Sequence, residues 1–285
     1  MTRPDPRLTP ARADLAAAHL RGRVEAARYV VGDAACVIAE ALDLRQGPGP
    51  DKGLLTQALY GERLVVYEDE EGWAYVQLDG DGYVGYLPAA GLLPQRAAPT
   101  HKLCVPRSFV YPGASIKHPV MQALPLGATV AVHSFTGEFA RLQEGGFVYA
   151  RHLVALEAVA ADWVAVAEAF LNAPYLWGGK TWCGIDCSGL VQVALQAGGI
   201  SAPRDSDMLQ AFAGEDVSAL ARTRGDLVFW RGHVGIMRDA ETLLHANGYF
   251  MQVTSEPLAQ ATARIEATGG GNVTGLRRIA PARAR

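Results

Sequence analysis

The stretch GIDCSGLV at residues 184–191 decides how the C-terminal half of the chain folds. It places Cys187 between a glycine-rich loop, residues 178–184, and a segment with apolar side chains at helical spacing, residues 188–197. Exposed backbone N–H groups and the positive end of a helix dipole stabilise a thiolate at such a junction. The pattern therefore predicts a helix over 188–197 with a candidate nucleophile at its start. A lone cysteine in this position is otherwise usually a small buried apolar residue.

Two histidines further along the chain are candidate partners for this thiol. His233 opens a strand-like segment, and His245 lies near the end of another, 12 residues later. If a hairpin joins the two segments, one imidazole can act as base and the other can orient it. Two other interpretations stay open on the residues alone: each histidine is only hydrogen-bonded, or both bind zinc together with Cys183 and Cys187.

The elements around these residues predict an α+β fold. Asp162 is a plausible helix N-cap, and Asn172-Ala173-Pro174 ends the helix that it begins. Strands follow the helices rather than alternating with them, which is typical of α+β domains. The predicted later elements are a third helix at 203–213 and strands at 226–230, 233–237, 243–246 and 273–279.

The preceding residues, 29–156, consist of short β segments separated by glycine and proline, which favours small barrels. They contain a repeat: residues 61–66 (GERLVV) resemble residues 127–132 (GATVAV), an offset of 66. Such self-similarity predicts two copies of one module. In this alignment Glu62 corresponds to Ala128 and Tyr83 to Phe147, so the module itself needs neither polar group. Two explanations of the difference stay open: neutral sequence change at solvent-facing positions, or a function that only the first copy performs.

Composition limits the partners of the chain. Its 285 residues carry 26 Lys+Arg and 29 Asp+Glu, so the charge of −3 argues against nucleic acid. We find no apolar run of about 20 residues, so no membrane span is predicted. Residues 1–10 do not resemble a secretory signal, and we therefore expect a cytoplasmic protein. The four cysteines are then expected to be free thiols. A monomer is expected.

Five motifs, in the same order as in a known family, identify the C-terminal part. They are PYLWGG at 174–179, GIDCSGLV at 184–191, GDLVFW at 225–230, HVGI at 233–236 and LHA at 244–246. Together they resemble the NlpC/P60 cysteine peptidases, and the repeat resembles bacterial SH3-like barrels. The resemblance implies an α+β papain-like NlpC/P60 catalytic domain preceded by two small all-β SH3-like barrels. The expected divisions are an N-terminal extension at 1–28, barrels at 29–96 and 97–156, and a peptidase domain at 157–285.

The resemblance also implies roles for individual residues. Cys187 is expected to be the nucleophile, His233 the general base and His245 the residue that orients His233. No metal and no organic cofactor are expected. Other side chains are expected to contact the substrate or the oxyanion: Tyr175, Asp186, Ser188 and Ser206 near the nucleophile, with Glu62 and Tyr83 contributed by the first barrel.

With two barrels in front, the chain is similar to those family members that are γ-D-glutamyl-L-diamino acid endopeptidases. This likeness implies hydrolysis of the γ-D-glutamyl to diamino acid bond in free murein peptides with an unblocked L-Ala, as in cell-wall recycling. A carboxylate such as Glu62 or Asp186 can pair with the free ammonium, and stems linked to N-acetylmuramic acid lack that group. Two alternatives remain: a wall-lytic endopeptidase or amidase on intact stems, and an inactive wall-peptide binding protein.

Overall fold

The computed structural model describes residues 4–94 and 97–279. The chain forms two compact units, one that extends to Leu156 and one that begins at Glu157, with residues 104–106 grouped with the second. The first unit is all-β apart from short 3-10 turns, and the second combines helices with an antiparallel sheet. None of the helices within the described residues has the length and apolar composition needed to cross a bilayer.

The N-terminal segment is part of the first unit. Strand β1 (Leu15–Ala17) pairs in parallel with β2 (Arg28–Val30). The three residues of β1 are fully buried, and Leu15 packs against Tyr75 and Val84 of the first barrel. This part of the predicted extension therefore contributes its own apolar residues to the barrel unit.

The first barrel is a seven-stranded antiparallel sheet with the order β5-β4-β8-β7-β6-β3-β9. Its strands enclose an apolar core that includes Leu44, Leu64 and Leu87. The strands are β3 (Asp33–Val37), β4 (Ala41–Arg45), β5 (Leu54–Leu59), β6 (Arg63–Glu70), β7 (Trp73–Leu78), β8 (Val84–Pro88) and β9 (Leu92–Leu93).

The second barrel repeats this succession in two smaller sheets, ordered β13-β10-β17 and β12-β11-β16-β15-β14. Leu103, Leu124 and Val148 lie in its core. Its strands are β10 (His101–Leu103), β11 (Arg107–Tyr111), β12 (Gln122–Pro125), β13 (Thr129–Val130), β14 (Val132–Thr136), β15 (Phe139–Leu142), β16 (Phe147–Tyr149) and β17 (Leu153–Ala155).

The same turn opens both halves of the repeat. Glu62 N–H donates to Leu59 O at 2.9 Å, and Ala128 N–H donates to Pro125 O at 3.1 Å. Each turn has a left-handed glycine at its third position, Gly61 with φ 78° and Gly127 with φ 81°. The bulges in the next strands, at residues 66–68 and 132–134, are also 66 residues apart.

The strand register corrects one part of the predicted alignment. Tyr75 pairs with Tyr86, and the corresponding Arg141 pairs with Phe147, so the counterpart of Phe147 is Tyr86. The alignment of Tyr83 with Phe147 was wrong because the β7–β8 hairpin is longer than its counterpart. Residues 77–84 stand where the second barrel has only residues 143–145, and Tyr83 lies within this longer hairpin.

The second unit has a six-stranded sheet with the order β20-β25-β21-β22-β23-β24. A small β18–β19 hairpin precedes the second helix. The elements in chain order are α1 (Trp163–Glu168), β18 (Lys180–Thr181), β19 (Gly184–Ile185), α2 (Cys187–Ala197), α3 (Ser206–Phe212), β20 (Glu215–Asp216), β21 (Asp226–Trp230), β22 (His233–Met237), β23 (Thr242–Asn247), β24 (Gln252–Pro257), α4 (Leu258–Ala267) and β25 (Gly275–Arg278).

Sequence reasoning placed seven of these twelve elements and missed the two-residue strands β18, β19 and β20 and two longer elements. Asp162 caps α1 by accepting hydrogen bonds from Val164 and Ala165, as predicted. The third helix is shorter than predicted, because α3 begins at Ser206 and Pro203 lies before it. Strand β24 and helix α4 were not predicted. Their residues carry two groups of the candidate site.

Candidate active site

Cys187 is the first residue of α2, and its side chain is buried. Asp186 caps this helix by accepting a hydrogen bond from Gly189 N–H at 2.6 Å. Gly189 is required by close packing, because a Cβ there would lie 2.4 Å from the carbonyl oxygen of Gly179. The Asp-Cys-Ser-Gly sequence therefore fixes the thiol at the start of the helix.

The Asp186 carboxylate belongs to a buried network behind the thiol. Arg204 donates to both of its oxygens, at 2.9 and 2.6 Å, and to the Ser188 hydroxyl at 2.8 Å. Ser188 in turn donates to Asp186 at 3.3 Å. Backbone N–H of Gly178 adds a further bond at 2.8 Å, so this network joins the glycine-rich loop to the start of the helix.

A chain of hydrogen bonds runs from His233 across neighbouring strands to helix α4. His233 Nε2 and His245 Nδ1 are 2.8 Å apart, and His245 Nε2 and Glu256 Oε1 are also 2.8 Å apart. Glu256 then accepts two hydrogen bonds from the Arg264 guanidinium, at 2.6 and 2.5 Å. These residues come from β22, β23, β24 and α4 in turn, so the hairpins of the sheet align them.

Burial and neighbouring charges determine the protonation states. Burial and the nearby Asp186 raise the pKa of Cys187 to about 12, although backbone hydrogen bonds from Val234 and Ser188 oppose the shift. Burial, His245 and Arg264 lower the pKa of His233 to about 3. Both groups are therefore neutral before a substrate binds, and a proton must leave the thiol before it can attack.

The thiol opens into a cavity of about 190 Å³. Tyr175 forms part of its wall, and burial and Cys187 raise the pKa of this phenol, which keeps it protonated as a donor. The residues that line the cavity are Tyr175, Cys187, Gly232, His233, His245, Asn247, Gly248, Tyr249, Arg264, Ile265 and Thr268.

The structure thus brings together Cys187, His233, His245 and Tyr175. The other three predicted substrate contacts in this unit, Asp186, Ser188 and Ser206, are not among the described residues that line the cavity. Asp186 and Ser188 are engaged with Arg204, and Ser206 is the first residue of α3. Contact of these three with a substrate stays a prediction.

Glu62 and Tyr83 both lie in the first barrel. The Glu62 carboxylate accepts a hydrogen bond from Leu59 N–H at 2.9 Å, within its own turn. A Cβ at Gly80 would lie 3.4 Å from the other oxygen of Glu62, so this carboxylate faces the longer hairpin that carries Tyr83. Tyr83 is 3% exposed and lines a cavity of about 290 Å³ in the barrel unit. Their binding to a substrate amine stays a prediction.

The two cysteines of the alternative zinc site differ in their exposure to solvent. Cys183 is exposed, whereas Cys187 is buried at the helix start. Across residues 4–94 and 97–279 we find no group of three or more histidine, cysteine, aspartate or glutamate side chains arranged to hold a metal ion.

Sequence reasoning did not identify Glu256 and Arg264. The available signal was weak: Glu256 lies 11 residues after His245 in a short segment with two β-branched residues, QVTSEP at 252–257. A prediction that residues 252–257 form a strand beside the strand of His245 would have placed this carboxylate near that histidine. Arg264 lies eight residues after Glu256 in sequence. The two side chains meet because helix α4 begins directly after strand β24.

Comparisons with known proteins find matches in both units of the chain. Residues 44–92 match the model of the bacterial dipeptidyl-peptidase SH3 domain, and residues 172–267 match that of the NlpC/P60 family. A γ-D-glutamyl-L-lysine dipeptidyl-peptidase of Bacillus subtilis is 28% identical over 72% of this chain and 76% of its own length. Dipeptidyl-peptidase 6 of Lysinibacillus sphaericus is 27% identical over 75% of this chain and 87% of its own.

A solved structure shows the same fold. The crystal structure of an NlpC/P60 family protein from Bacillus cereus has a TM-score of 0.73 and 21% identity, over 87% of this chain and 100% of the other. The expected architecture, an α+β peptidase domain preceded by small SH3-like barrels, is confirmed. The chain thus contains an NlpC/P60 domain, matched at residues 172–267, and a bacterial dipeptidyl-peptidase SH3 domain before it, matched at residues 44–92.

Proposed function

We propose that this enzyme hydrolyses the γ-D-glutamyl to diamino acid bond of murein peptides. The observation that carries the proposal is the buried Cys187 at a helix start, in one cavity with the hydrogen-bonded pair His233 and His245. Two relatives that match along most of their length are named for dipeptidyl-peptidase activity, one of them on γ-D-glutamyl-L-lysine.

In the proposed mechanism, the Cys187 proton passes to His233 as the sulfur attacks the γ-carbonyl carbon. The carbonyl electrons move to oxygen, and Tyr175 donates a hydrogen bond to the resulting oxyanion. The C–N bond then breaks, and His233 returns its proton to the leaving amine of the diamino acid. A thioester remains on Cys187. Water, deprotonated by His233, attacks this thioester and releases the L-Ala-D-Glu acid with a regenerated thiol.

The preferred substrates of this proposal are free peptides with an unblocked L-Ala, which arise when the cell wall is recycled. The support comes from the resemblance and from the two polar residues in the first barrel, Glu62 and Tyr83, that the second barrel lacks. A carboxylate that loses its cationic partner in a desolvated site carries a large penalty, so a blocked amine would be rejected. A monomeric state and a cytoplasmic location stay predictions.

The decisive experiment is incubation of the full chain with L-Ala-γ-D-Glu-meso-diaminopimelate and with the L-lysine analogue, followed by mass analysis of the products. We expect a dipeptide and a free diamino acid. Cys187→Ala should abolish the reaction, whereas Cys183→Ala, which removes the exposed thiol four residues earlier, should leave it intact. Unchanged tripeptides would contradict the proposal, and so would equal turnover by Cys187→Ala and the wild type.

A second experiment separates recycling from wall lysis. The same tripeptide with an acetylated L-Ala is offered beside the free form. Cleavage of the free form alone supports the recycling substrate. Equal cleavage of both forms would favour a wall-lytic endopeptidase on intact stems. Tight binding measured by calorimetry without turnover would favour a wall-peptide binding protein.

A further inference from the structure

We infer that Glu256, held by Arg264, is a positioning residue that sets the proton positions on both histidines and so makes His233 a base toward Cys187. This inference rests on the proposed catalytic roles of Cys187 and His233. It adds a group that the motifs of the chain did not identify.

Glu256 is an ionised acceptor on β24. Its side chain is 9% exposed, and both of its oxygens accept from Arg264. Burial by itself raises the pKa of a carboxyl group, but the hydrogen bonds from His245 and Arg264 outweigh it and lower the pKa of Glu256 to about 2. The carboxylate therefore has no proton to donate at neutral pH.

This fixes the proton of His245. Since Glu256 Oε1 can only accept, the ring nitrogen 2.8 Å away, His245 Nε2, must carry hydrogen. A neutral imidazole has one N–H, so His245 Nδ1 is then an acceptor. The opposite tautomer would place two lone pairs against each other in a buried site, which is unfavourable.

The proton of His233 follows in the same way. His245 Nδ1 accepts, so His233 Nε2, 2.8 Å away, is the donor. The remaining nitrogen, His233 Nδ1, then carries the lone pair needed to take the Cys187 proton. Without Glu256, the reverse order would leave a hydrogen on His233 Nδ1, and this ring could not act as base.

Arg264 keeps Glu256 in this orientation through two hydrogen bonds. Its guanidinium lies over the rings of Tyr249 and Phe250, 4.7 and 5.1 Å from their centroids. Glu256 stabilises the positive charge that His233 acquires only when the thiol loses its proton.

Several charged or titratable groups lie near Cys187, His233 and His245, and each is on an element packed against them. Asp186 and Arg204 face Cys187 from the start of α2 and the loop before α3, and Tyr175 faces it from the loop before β18. Glu256 and Arg264 face the histidines from β24 and α4. Of these five groups only Glu256 changes in the experiments below, so the effect of the other four is constant.

The test uses two variants and a matched control in the full chain. Glu256→Leu removes the acceptor, and Glu256→Gln retains an acceptor oxygen but removes the charge. Asp226→Asn changes another fully buried carboxylate of the same sheet, which is paired with Arg278 at 2.7 and 2.9 Å and makes no contact with a histidine that the structure describes. A merely structural role predicts similar effects of Glu256→Gln and Asp226→Asn.

The first readout is the pH dependence of Cys187 alkylation by iodoacetamide, in a Cys36→Ser, Cys104→Ser, Cys183→Ser background so that one thiol remains. Removing the negative charge destabilises the thiolate–imidazolium pair. We expect the profile to shift to higher pH in Glu256→Gln, so that the alkylation rate at a fixed neutral pH falls about 10-fold, and to stay unchanged in Asp226→Asn. An unchanged profile in Glu256→Gln would overturn the inference.

The second readout is nitrogen NMR of the histidine rings, which needs neither substrate nor turnover. In the wild type we expect hydrogen on Nε2 of both His233 and His245, with both Nδ1 atoms unprotonated. Glu256→Leu should move His245 toward the opposite tautomer. Hydrogen on Nδ1 of His245 in the wild type, including a doubly protonated ring, would overturn the inference even if the peptide is cleaved.

The third readout is turnover of the free tripeptide. We expect kcat to fall on the order of 100-fold in Glu256→Leu and about 10-fold in Glu256→Gln, with KM little changed, because the proton transfer and not binding is affected. Equal kcat in Glu256→Leu and the wild type would overturn the inference. If the peptide is not cleaved at all, the proposed substrate fails, while the alkylation and NMR readouts still decide the role of Glu256. If Glu256→Leu does not fold, Glu256→Gln carries the same test.

Discussion

The two units of the molecule differ in what they bury. In the described part of the barrel unit, the buried polar side chains are Thr56, Gln57 and Ser108, which carry no charge. The described part of the peptidase unit buries ionisable side chains: Lys180, Asp186, Arg204, Asp226, His245 and Glu256. Desolvating charges is costly and adds little net stability, so their concentration in one unit indicates where the chemistry takes place.

The largest expected effect comes from breaking the buried pair behind the thiol. Arg204→Met should lower the free energy of unfolding of the peptidase unit by about 3–5 kcal/mol, because Asp186 stays buried without its partner. Arg151→Met in the barrel unit removes a largely exposed pair with Glu138 and should change it by less than about 0.5 kcal/mol. Denaturant unfolding measures both. Equal losses would remove the contrast between the units.

Acid should unfold the peptidase unit before the barrel unit. Hydrogen bonds from Arg224 lower the pKa of Glu168 to about 2, and the pKa of Glu256 is also about 2. A carboxyl group with a lowered folded-state pKa stabilises the fold above its unfolded value, near 4.5. That stability, at most about 3 kcal/mol per group, is lost as the pH falls from about 4.5 to about 2.

Tryptophan fluorescence follows this acid transition, because four tryptophans lie in the peptidase unit and Trp73 lies in the first barrel. A variant that retains Trp73 alone reports the unfolding of the barrel unit. As the pH is lowered, we expect most of the wild-type fluorescence change to occur at a higher pH than the change in this variant. A coincident transition of both signals would contradict the expected order.

Within the barrel unit, the two turns of the repeat should respond differently to alanine. Both glycines are left-handed, but a Cβ at Gly61 would lie 2.3 Å from the carbonyl oxygen of Thr129, and a Cβ at Gly127 meets no atom within 4 Å. We expect Gly61→Ala to cost about 2–3 kcal/mol and Gly127→Ala about 1 kcal/mol in unfolding free energy. Similar costs in thermal unfolding would show that the two turns are equivalent.

The smallest expected effect concerns Glu62, whose counterpart in the second barrel is an alanine. Glu62→Ala should lower kcat/KM for the free-amine tripeptide about 10-fold, which corresponds to about 1.4 kcal/mol, and leave folding nearly unchanged, since the second barrel makes the same turn with Ala128. Glu138→Ala, which removes an exposed carboxylate of the second barrel, is the control and should leave turnover unchanged. Equal turnover by Glu62→Ala and the wild type would assign the carboxylate to the turn alone.

The sequence predicts local features of both units better than their long-range connections. A cap residue such as Asp162 acts through neighbouring residues, and it was identified correctly. Tyr83 was misaligned because hairpin length depends on strand pairing, which no local pattern reports. Glu256 and Arg264 were missed for a related reason: their contact with His245 exists only once three strands and a helix are in register.

The position of strand β25 has a consequence for synthesis of the chain. This strand lies between β20 and β21, although it is the last strand that the structure describes, and its Arg278 is the partner of the buried Asp226. The ribosome must therefore release residue 278 before the sheet of the peptidase unit can close. The barrel unit has no described strand beyond Leu156 and can fold while the remainder is still being translated. The barrel core can thus be complete before the catalytic sheet closes.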